Sequence, residues 1–216
     1  MRTGSVGLAA ACALCACGHL SSVRPAPKGE IQPELQLGGP FLNAPGKLQV
    51  PLPLATVGAR YGLGDRVDVS ANAHLTPLLF GVAGLDVGST YLALEEQRPW
   101  PALSVGGRLY GFTDLPPSGG PRAYLEGYGS ASYLFRGIFM PYLSASVLVQ
   151  FAGGMPIPSL AAGAQLVLGR FAVQLEARWY SPTVPSSYMV VDWWNVGGYG
   201  AWGALAGVSY RFGGER

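Results

Sequence analysis

The stretch Arg66-Val67-Asp68-Val69-Ser70-Ala71-Asn72-Ala73-His74-Leu75 decides the fold of this chain. Its polar residues occupy the even positions and its apolar residues the odd positions, without a break. Because successive side chains of a β-strand point to opposite faces, this pattern predicts a strand with one polar and one apolar face. A strand of about ten residues crosses a bilayer when it is tilted by about 45°.

The same period recurs along the rest of the chain. From Phe171 to Trp179, for example, apolar residues hold the odd positions, and Gln174, Glu176 and Arg178 lie between them. Counting such segments predicts ten strands, at roughly 34–42, 50–61, 66–75, 82–91, 102–112, 122–134, 139–151, 160–169, 171–181 and 200–212. An eight-strand count, with two of these segments as loops, is the alternative.

The composition indicates what these strands build. Charged residues make up only 12% of the chain and hydrophobic residues 49%, which is too few charges for a typical soluble surface. No charged residue lies between Arg136 and Arg170, yet Gly153-Gly154, Pro156 and Pro158 interrupt this region and prevent a spanning helix. We therefore predict an all-β fold, a closed antiparallel up-and-down transmembrane β-barrel.

All three cysteines, Cys12, Cys15 and Cys17, lie in an apolar leader that follows Met1-Arg2. Leu14-Cys15-Ala16-Cys17 resembles the lipobox of bacterial lipoprotein signals, which implies cleavage before Cys17 and acylation of that cysteine. An ordinary secretory signal cut nearby is the alternative. The expected organisation is a signal peptide over 1–16, a lipidated cysteine and flexible tether over 17–33, a barrel over 34–212 and a tail over 213–216.

The closing strand Val208-Ser209-Tyr210-Arg211-Phe212, together with the alternating strands, looks like a bacterial outer-membrane β-barrel protein. Gly38-Gly39-Pro40 and Pro51-Leu52-Pro53-Leu54 also resemble uncharacterised lipoprotein barrels. The resemblance implies the outer membrane of a Gram-negative bacterium. Expected partners are outer-membrane lipids, lipopolysaccharide, and the barrel-assembly and lipoprotein-export machineries, with any further protein partner unknown. An even strand count places both chain ends in the periplasm, where a lipid on Cys17 would anchor the N-terminus.

Alternation also sorts the polar side chains onto the inner face of the predicted barrel. A lumen of eight to ten strands is largely filled by side chains, so these charges are expected to pair with one another. A ligand site or a small-solute path is the alternative. The predicted network comprises Arg66, Asp68, His74, Asp86, Arg108, Glu126, Glu176 and Arg178.

Aromatic residues near the strand ends, Phe112 and Tyr124 among them, are expected to form two girdles at the level of the lipid headgroups. The last connection is an unusually long and aromatic one. Its residues either cap the barrel mouth, meet the membrane rim or bind a ligand. The binding candidates are Tyr188, Trp193, Trp194 and Tyr199.

No catalytic motif, metal-spaced His/Cys cluster, phosphate loop or basic run for nucleic acid occurs in the sequence. We expect no enzymatic activity, no metal and no cofactor beyond the covalent lipid on Cys17. The predicted function is a structural, interaction or minor-solute role in the outer membrane. Two alternatives remain: a barrel-embedded lipid hydrolase centred on His74, and a soluble, lipid-tethered, lipocalin-like binder.

Overall fold

The computed structural model describes residues 18–44, 48–115, 120–151, 156–189 and 191–213. The predicted signal peptide, Cys17 and the last three residues of the predicted tail lie outside the described residues. Among the residues that are described, no helix is long and apolar enough to cross a membrane.

Strands account for most of the described chain. Two single turns of helix, Leu75–Leu78 and the 3₁₀ turn Ser186–Tyr188, connect some of them. The strands are β1 (Ile31–Ala44), β2 (Leu48–Pro51), β3 (Leu54–Gly62), β4 (Val67–His74), β5 (Val82–Leu94), β6 (Ala102–Asp114), β7 (Arg122–Ser132), β8 (Phe139–Gln150), β9 (Ile157–Leu168), β10 (Phe171–Pro185) and β11 (Tyr199–Tyr210).

Ten of these strands form a closed antiparallel barrel. Consecutive strands from β3 to β11 pair with one another, and β1 closes the barrel by pairing with both β3 and β11. The seam between the first and last strands runs from Glu34 opposite Ser209 to Pro40 opposite Gly203. The short β2 pairs only with the end of β1 and extends the rim. The ten-strand prediction is confirmed, and the eight-strand alternative is wrong.

The pairing register shows that the strands are staggered. From Leu35, directly opposite residues can be followed through β11, β10 and β9 to Phe139 on β8. The path in the other direction runs through β3 to β7 and meets β8 at Phe151, whose N–H bonds to Ala123. The two paths end on the same strand twelve residues apart, so the strands must tilt relative to the barrel axis.

The Gly-Gly-Pro stretch lets β1 pass close to its neighbours. Gly38 has a φ of 133°, and a Cβ at this residue would lie 2.2 Å from the carbonyl oxygen of Ala204. A Cβ at Gly39 would lie 2.7 Å from the carbonyl oxygen of Leu52. Glycine is therefore required where the first strand meets the last.

We call the end where β1 begins and β11 ends the lower rim, and the opposite end the upper rim. The lower rim carries the connections 63–66, 95–101, 133–138 and 169–170, and the upper rim includes 75–81 and 186–189. The outer wall between the rims is apolar: Leu85 and Leu143 are each 65% exposed, and Leu175 is 60% exposed. The inner wall holds the buried polar and charged side chains.

Aromatic residues surround the outer wall near the lower rim, and stacked rings lie nearer the upper rim. Trp179 and Trp202 stack at 5.6 Å near the upper end of their strands. The girdle prediction is wrong for Phe112 and Tyr124, which are 2% and 1% exposed and point into the barrel. The exposed rings near the lower rim are Tyr61, Tyr91, Trp100, Phe135, Phe139, Phe171 and Phe212.

Candidate functional site

The lumen of the barrel contains three groups of paired charges. The first is centred on Asp68, which is completely buried. Its Oδ2 accepts a hydrogen bond from the guanidinium of Arg60 at 2.6 Å, and its Oδ1 accepts one from the backbone N–H of Thr90 at 3.1 Å. An isolated carboxylate would be costly here, and the cation and the amide together stabilise its charged form.

The second group joins β4, β5, β6 and β7 across the middle of the lumen. Asp86 lies 2.9 Å from His74 Nε2, 2.9 Å from Asn72 Nδ2 and 3.3 Å from Arg108 Nε. Arg108 also lies 3.6 Å from Glu126, whose Oε2 accepts a hydrogen bond from the Tyr110 hydroxyl at 2.6 Å. One guanidinium therefore balances two buried carboxylates.

The third group lies on the other side of the lumen, on β8 and β10. Arg178 Nε donates a hydrogen bond to Glu176 Oε1 at 2.8 Å. The Tyr142 hydroxyl donates to Glu176 Oε2 at 2.9 Å, and Gln174 Nε2 donates to the Tyr142 oxygen at 2.8 Å. The polar side chains of this group satisfy one another.

An extended segment of the chain occupies the space between these groups. Residues 18–27, which we call the plug segment, enter at the lower rim, where Lys28 bridges Gly62. They run up the lumen as far as Gly18, where an added Cβ would lie 2.6 Å from Leu54 Cβ. This finding differs from the predicted flexible tether over 17–33. The polar lumen supplies partners for backbone groups that a tether would expose to water.

The lumen wall binds the plug segment largely through its backbone. The N–H groups of Leu20, Ser21 and Ala26 donate to Gln36, Glu176 and Asp68 at 2.8, 3.0 and 2.7 Å. The carbonyl oxygens of Ser21, Ser22 and Arg24 accept from Gln174, Ser130 and Arg60 at 2.9, 3.1 and 2.7 Å. Arg108 of the second group donates to the Ser22 hydroxyl at 3.3 Å, so each of the three charged groups contacts the plug segment.

One side chain of the plug segment reaches the lower rim. Arg24 donates to Glu96 Oε2 at 2.5 Å and to the Ser132 hydroxyl at 2.9 Å. Glu96 also accepts from the backbone N–H of Leu134 at 2.8 Å. Partial burial raises the pKa of Glu96, but the hydrogen bonds from Arg24 and Leu134 outweigh it, so the pKa lies below the ordinary glutamate value.

Aromatic and aliphatic side chains close the lumen above the charges. One cluster contains Val82, Tyr110, Phe112, Tyr124 and Leu148. A second contains Leu20 of the plug segment with Tyr180, Trp193, Ala201 and Leu205. The described lumen is therefore filled: the plug segment runs up between the paired charges and reaches the apolar side chains near the upper rim.

The structure brings together seven of the eight residues predicted for the network. Arg66 is the exception and a correction: it precedes β4 at the lower rim and pairs at 2.6 Å with Glu95, with both side chains about half exposed. The strand begins one residue later than the alternation suggests. Sequence reasoning also missed the plug segment, whose backbone contacts leave no pattern of residue types. The seven residues inside are Asp68, His74, Asp86, Arg108, Glu126, Glu176 and Arg178.

The four loop candidates do not form one surface. Trp193 is buried in the mouth, and Trp194 packs edge-on against Phe41 at 5.5 Å. The backbone here joins the rim of β1, since Trp194 N–H donates to Phe41 O at 2.8 Å. Tyr188 projects into solvent, and Tyr199 begins β11 with its side chain about half exposed.

His74 is enclosed by one carboxylate and two aromatic rings. Its hydrogen-bond partner is Asp86, and its ring packs against Phe112 at 5.1 Å and Tyr110 at 5.9 Å. Within the described ranges, no hydroxyl or thiol is hydrogen-bonded to this imidazole. The same ranges contain no group of three or more His, Cys, Asp or Glu residues that could hold a metal.

Taken together, the geometry defines a closed ten-stranded barrel with a polar, filled interior and an apolar outer wall. No family model and no curated protein matches the sequence. Solved structures with a similar fold include the translocator domain of the autotransporter NalP from Neisseria meningitidis, at 12% identity and a TM-score of 0.43, with 97% of each chain covered. NanC porin has 12% identity and a TM-score of 0.45, with 85% of this chain and 99% of that chain covered.

An outer-membrane channel from Pseudomonas putida has 9% identity and a TM-score of 0.44, with 90% of this chain and 99% of that chain covered. Sequence identities and TM-scores this low establish no family for the chain.

Proposed function

We propose that this chain is an outer-membrane β-barrel of a Gram-negative bacterium that is closed by its own N-terminal segment and has a structural or interaction role. One observation carries the proposal: the wall is apolar outside and charged inside. A soluble, lipocalin-like barrel needs the reverse arrangement, because its exterior faces water. An apolar band between aromatic rings suits a bilayer.

The filled lumen supports a role at the membrane surface over a role in transport. Passage of a solute needs a continuous polar path, and the apolar clusters at the mouth interrupt it. The rims and the outer wall are then the surfaces available to partners. The proposed partners are outer-membrane lipids, lipopolysaccharide and the barrel-assembly machinery. We propose no cofactor and no enzymatic activity.

Cell fractionation combined with heat-modifiable gel mobility tests this proposal. A membrane barrel is expected in the outer-membrane fraction, and its unheated form should migrate differently from its boiled form because the closed sheet resists detergent. Recovery in the soluble periplasmic fraction would contradict the proposal. Planar-bilayer recording tests the second candidate, a minor-solute path along the charged part of the lumen. The first candidate predicts no steady conductance from the intact chain, and a steady conductance would favour the second.

Lipidation of Cys17 is a separate proposal, supported by the lipobox-like Leu14-Cys15-Ala16-Cys17. The next residue, Gly18, lies beside Leu54 inside the barrel. A lipidated chain would also involve the lipoprotein-export machinery. Palmitate labelling should be lost in Cys17→Ser. Continued labelling of that variant would contradict the assignment.

A further inference from the structure

The lumen wall contacts the plug segment as it would contact a bound peptide, and the segment does not join the sheet. Among the described residues, 18–27 pair with no strand, and the isolated bridge that follows them joins Lys28 to Gly62. Side chains of the wall make most of the polar contacts of the segment. Six of these contacts go to backbone groups that any extended peptide without proline at the donor positions would present. The described contacts of residues 18–27 can therefore be broken without breaking a hydrogen bond between strands.

The ion pair between Arg24 and Glu96 secures the segment near the point where it enters. Arg24 and Glu96 are about three-quarters buried, and the carboxylate is fixed by the Leu134 N–H. Glu96 lies at the start of 95–101, the long connection of the lower rim.

We propose that the lumen is a binding site for an extended peptide, that residues 18–27 occupy it in cis, and that the Arg24–Glu96 pair is a latch controlling their release. This proposal rests on the proposed function only for the side of the membrane that the lower rim faces. Release would leave a chamber open at the lower rim. Its described walls carry five carboxylates, Glu34, Asp68, Asp86, Glu126 and Glu176, against three guanidiniums, Arg60, Arg108 and Arg178. Such a site suits a peptide with basic residues, as Arg24 itself illustrates.

Thiol accessibility in the full chain tests the latch. Cys12, Cys15 and Cys17 are replaced by serine, and Val23→Cys supplies a reporter that is similar in size and buried in the lumen. The folded protein in detergent micelles is treated with a bulky maleimide at neutral pH. Glu96→Gln is expected to raise the labelling rate about tenfold, since loss of a charge-assisted hydrogen bond of about 1.4 kcal/mol shifts the equilibrium by that factor.

The chain offers a matched control in the same connection. Glu95 pairs with Arg66 at the same rim but is half exposed and does not contact the plug segment, so Glu95→Gln should leave the rate unchanged. Arg24→Gln provides a second latch variant, and heat-modifiable mobility verifies that each protein is folded. Equal rates for Glu96→Gln and Glu95→Gln would overturn the latch.

A synthetic peptide of residues 18–27 tests the binding site itself. In the Glu96→Gln background, an excess of this peptide should occupy the lumen and increase labelling of the displaced reporter. A peptide with Ser21→Pro and Ala26→Pro lacks two of the N–H donors and should have no effect. If the first peptide does not change the rate, or if both act equally, the peptide site is refuted. Because the assay is done in micelles, its outcome is independent of where the protein resides in the cell.

Discussion

Replacing Leu175 with arginine should strongly destabilise the barrel, whereas the same replacement at Leu168 should not. Both leucines face outward on adjacent strands, at 60% and 56% exposure. Leu175 lies midway between Phe171 and Trp179 on β10, and Leu168 ends β9 beside the turn at the lower rim. The two sites therefore differ chiefly in their depth in the proposed membrane.

The expected magnitudes follow from that depth. Arginine at the middle of the apolar band costs about 2–4 kcal/mol, and near the interface the cost falls to about 0–1 kcal/mol. Directly opposite Leu175 are Ala164 and Ala206, which are too small to shelter a guanidinium from lipid. At Leu168 the side chain can extend into the headgroup region.

Equilibrium unfolding in urea, after refolding into lipid vesicles, measures both costs as changes in the free energy of unfolding. Leu175→Ala and Leu168→Ala correct for the loss of the leucine side chains. A difference of at least 1 kcal/mol between the two arginine variants is expected after this correction. Equal costs at the two positions would refute the depth assignment, and with it the membrane orientation of the outer wall.

Three further predictions concern the lumen and the rims. Arg108→Met should lower the free energy of unfolding by about 3–5 kcal/mol, because Asp86 and Glu126 lose their shared cation; an effect no larger than that of Arg108→Lys would contradict this. Wild type should exceed Glu96→Gln in stability by about 1 kcal/mol at neutral pH. That difference should vanish as the pH falls through the lowered pKa of Glu96, since protonation removes the charge that pairs with Arg24; a pH-independent difference would argue against the pair. An epitope inserted at Ser186 should bind antibody on intact cells and one at Gly64 only on permeabilised cells, and the reverse pattern would invert the topology.

The strands could be predicted because alternation is a property of each segment alone. Asp68 and His74 share a face in the sequence and in the barrel. Parity also predicts the inward position of Phe112 and Tyr124, which share the parity of Arg108 and Glu126 on their own strands. Alternation is here a better guide to the facing of a side chain than proximity to a strand end. Arg66 has the inward parity but lies before its strand begins.

Other features depend on contacts that the sequence does not display. The predicted strand 50–61 divides into β2 and β3, which pair with different parts of β1. The plug segment has no apolar period, and Pro25 and Pro27 are typical of a linker. Its place in the lumen depends on N–H and C=O groups that every chain possesses and on acceptors supplied by distant strands. Such complementarity becomes visible only when the barrel is assembled.

The direction in which the plug segment enters has a consequence for assembly. The described part of the segment passes through the lower opening and lies inside the ring as far as Gly18. In the proposed mature chain, which begins at Cys17, this segment can be withdrawn end-first without unpairing β1 from β11. Joining the first strand to the last and filling the interior are therefore topologically independent events, and they can occur in either order during biogenesis.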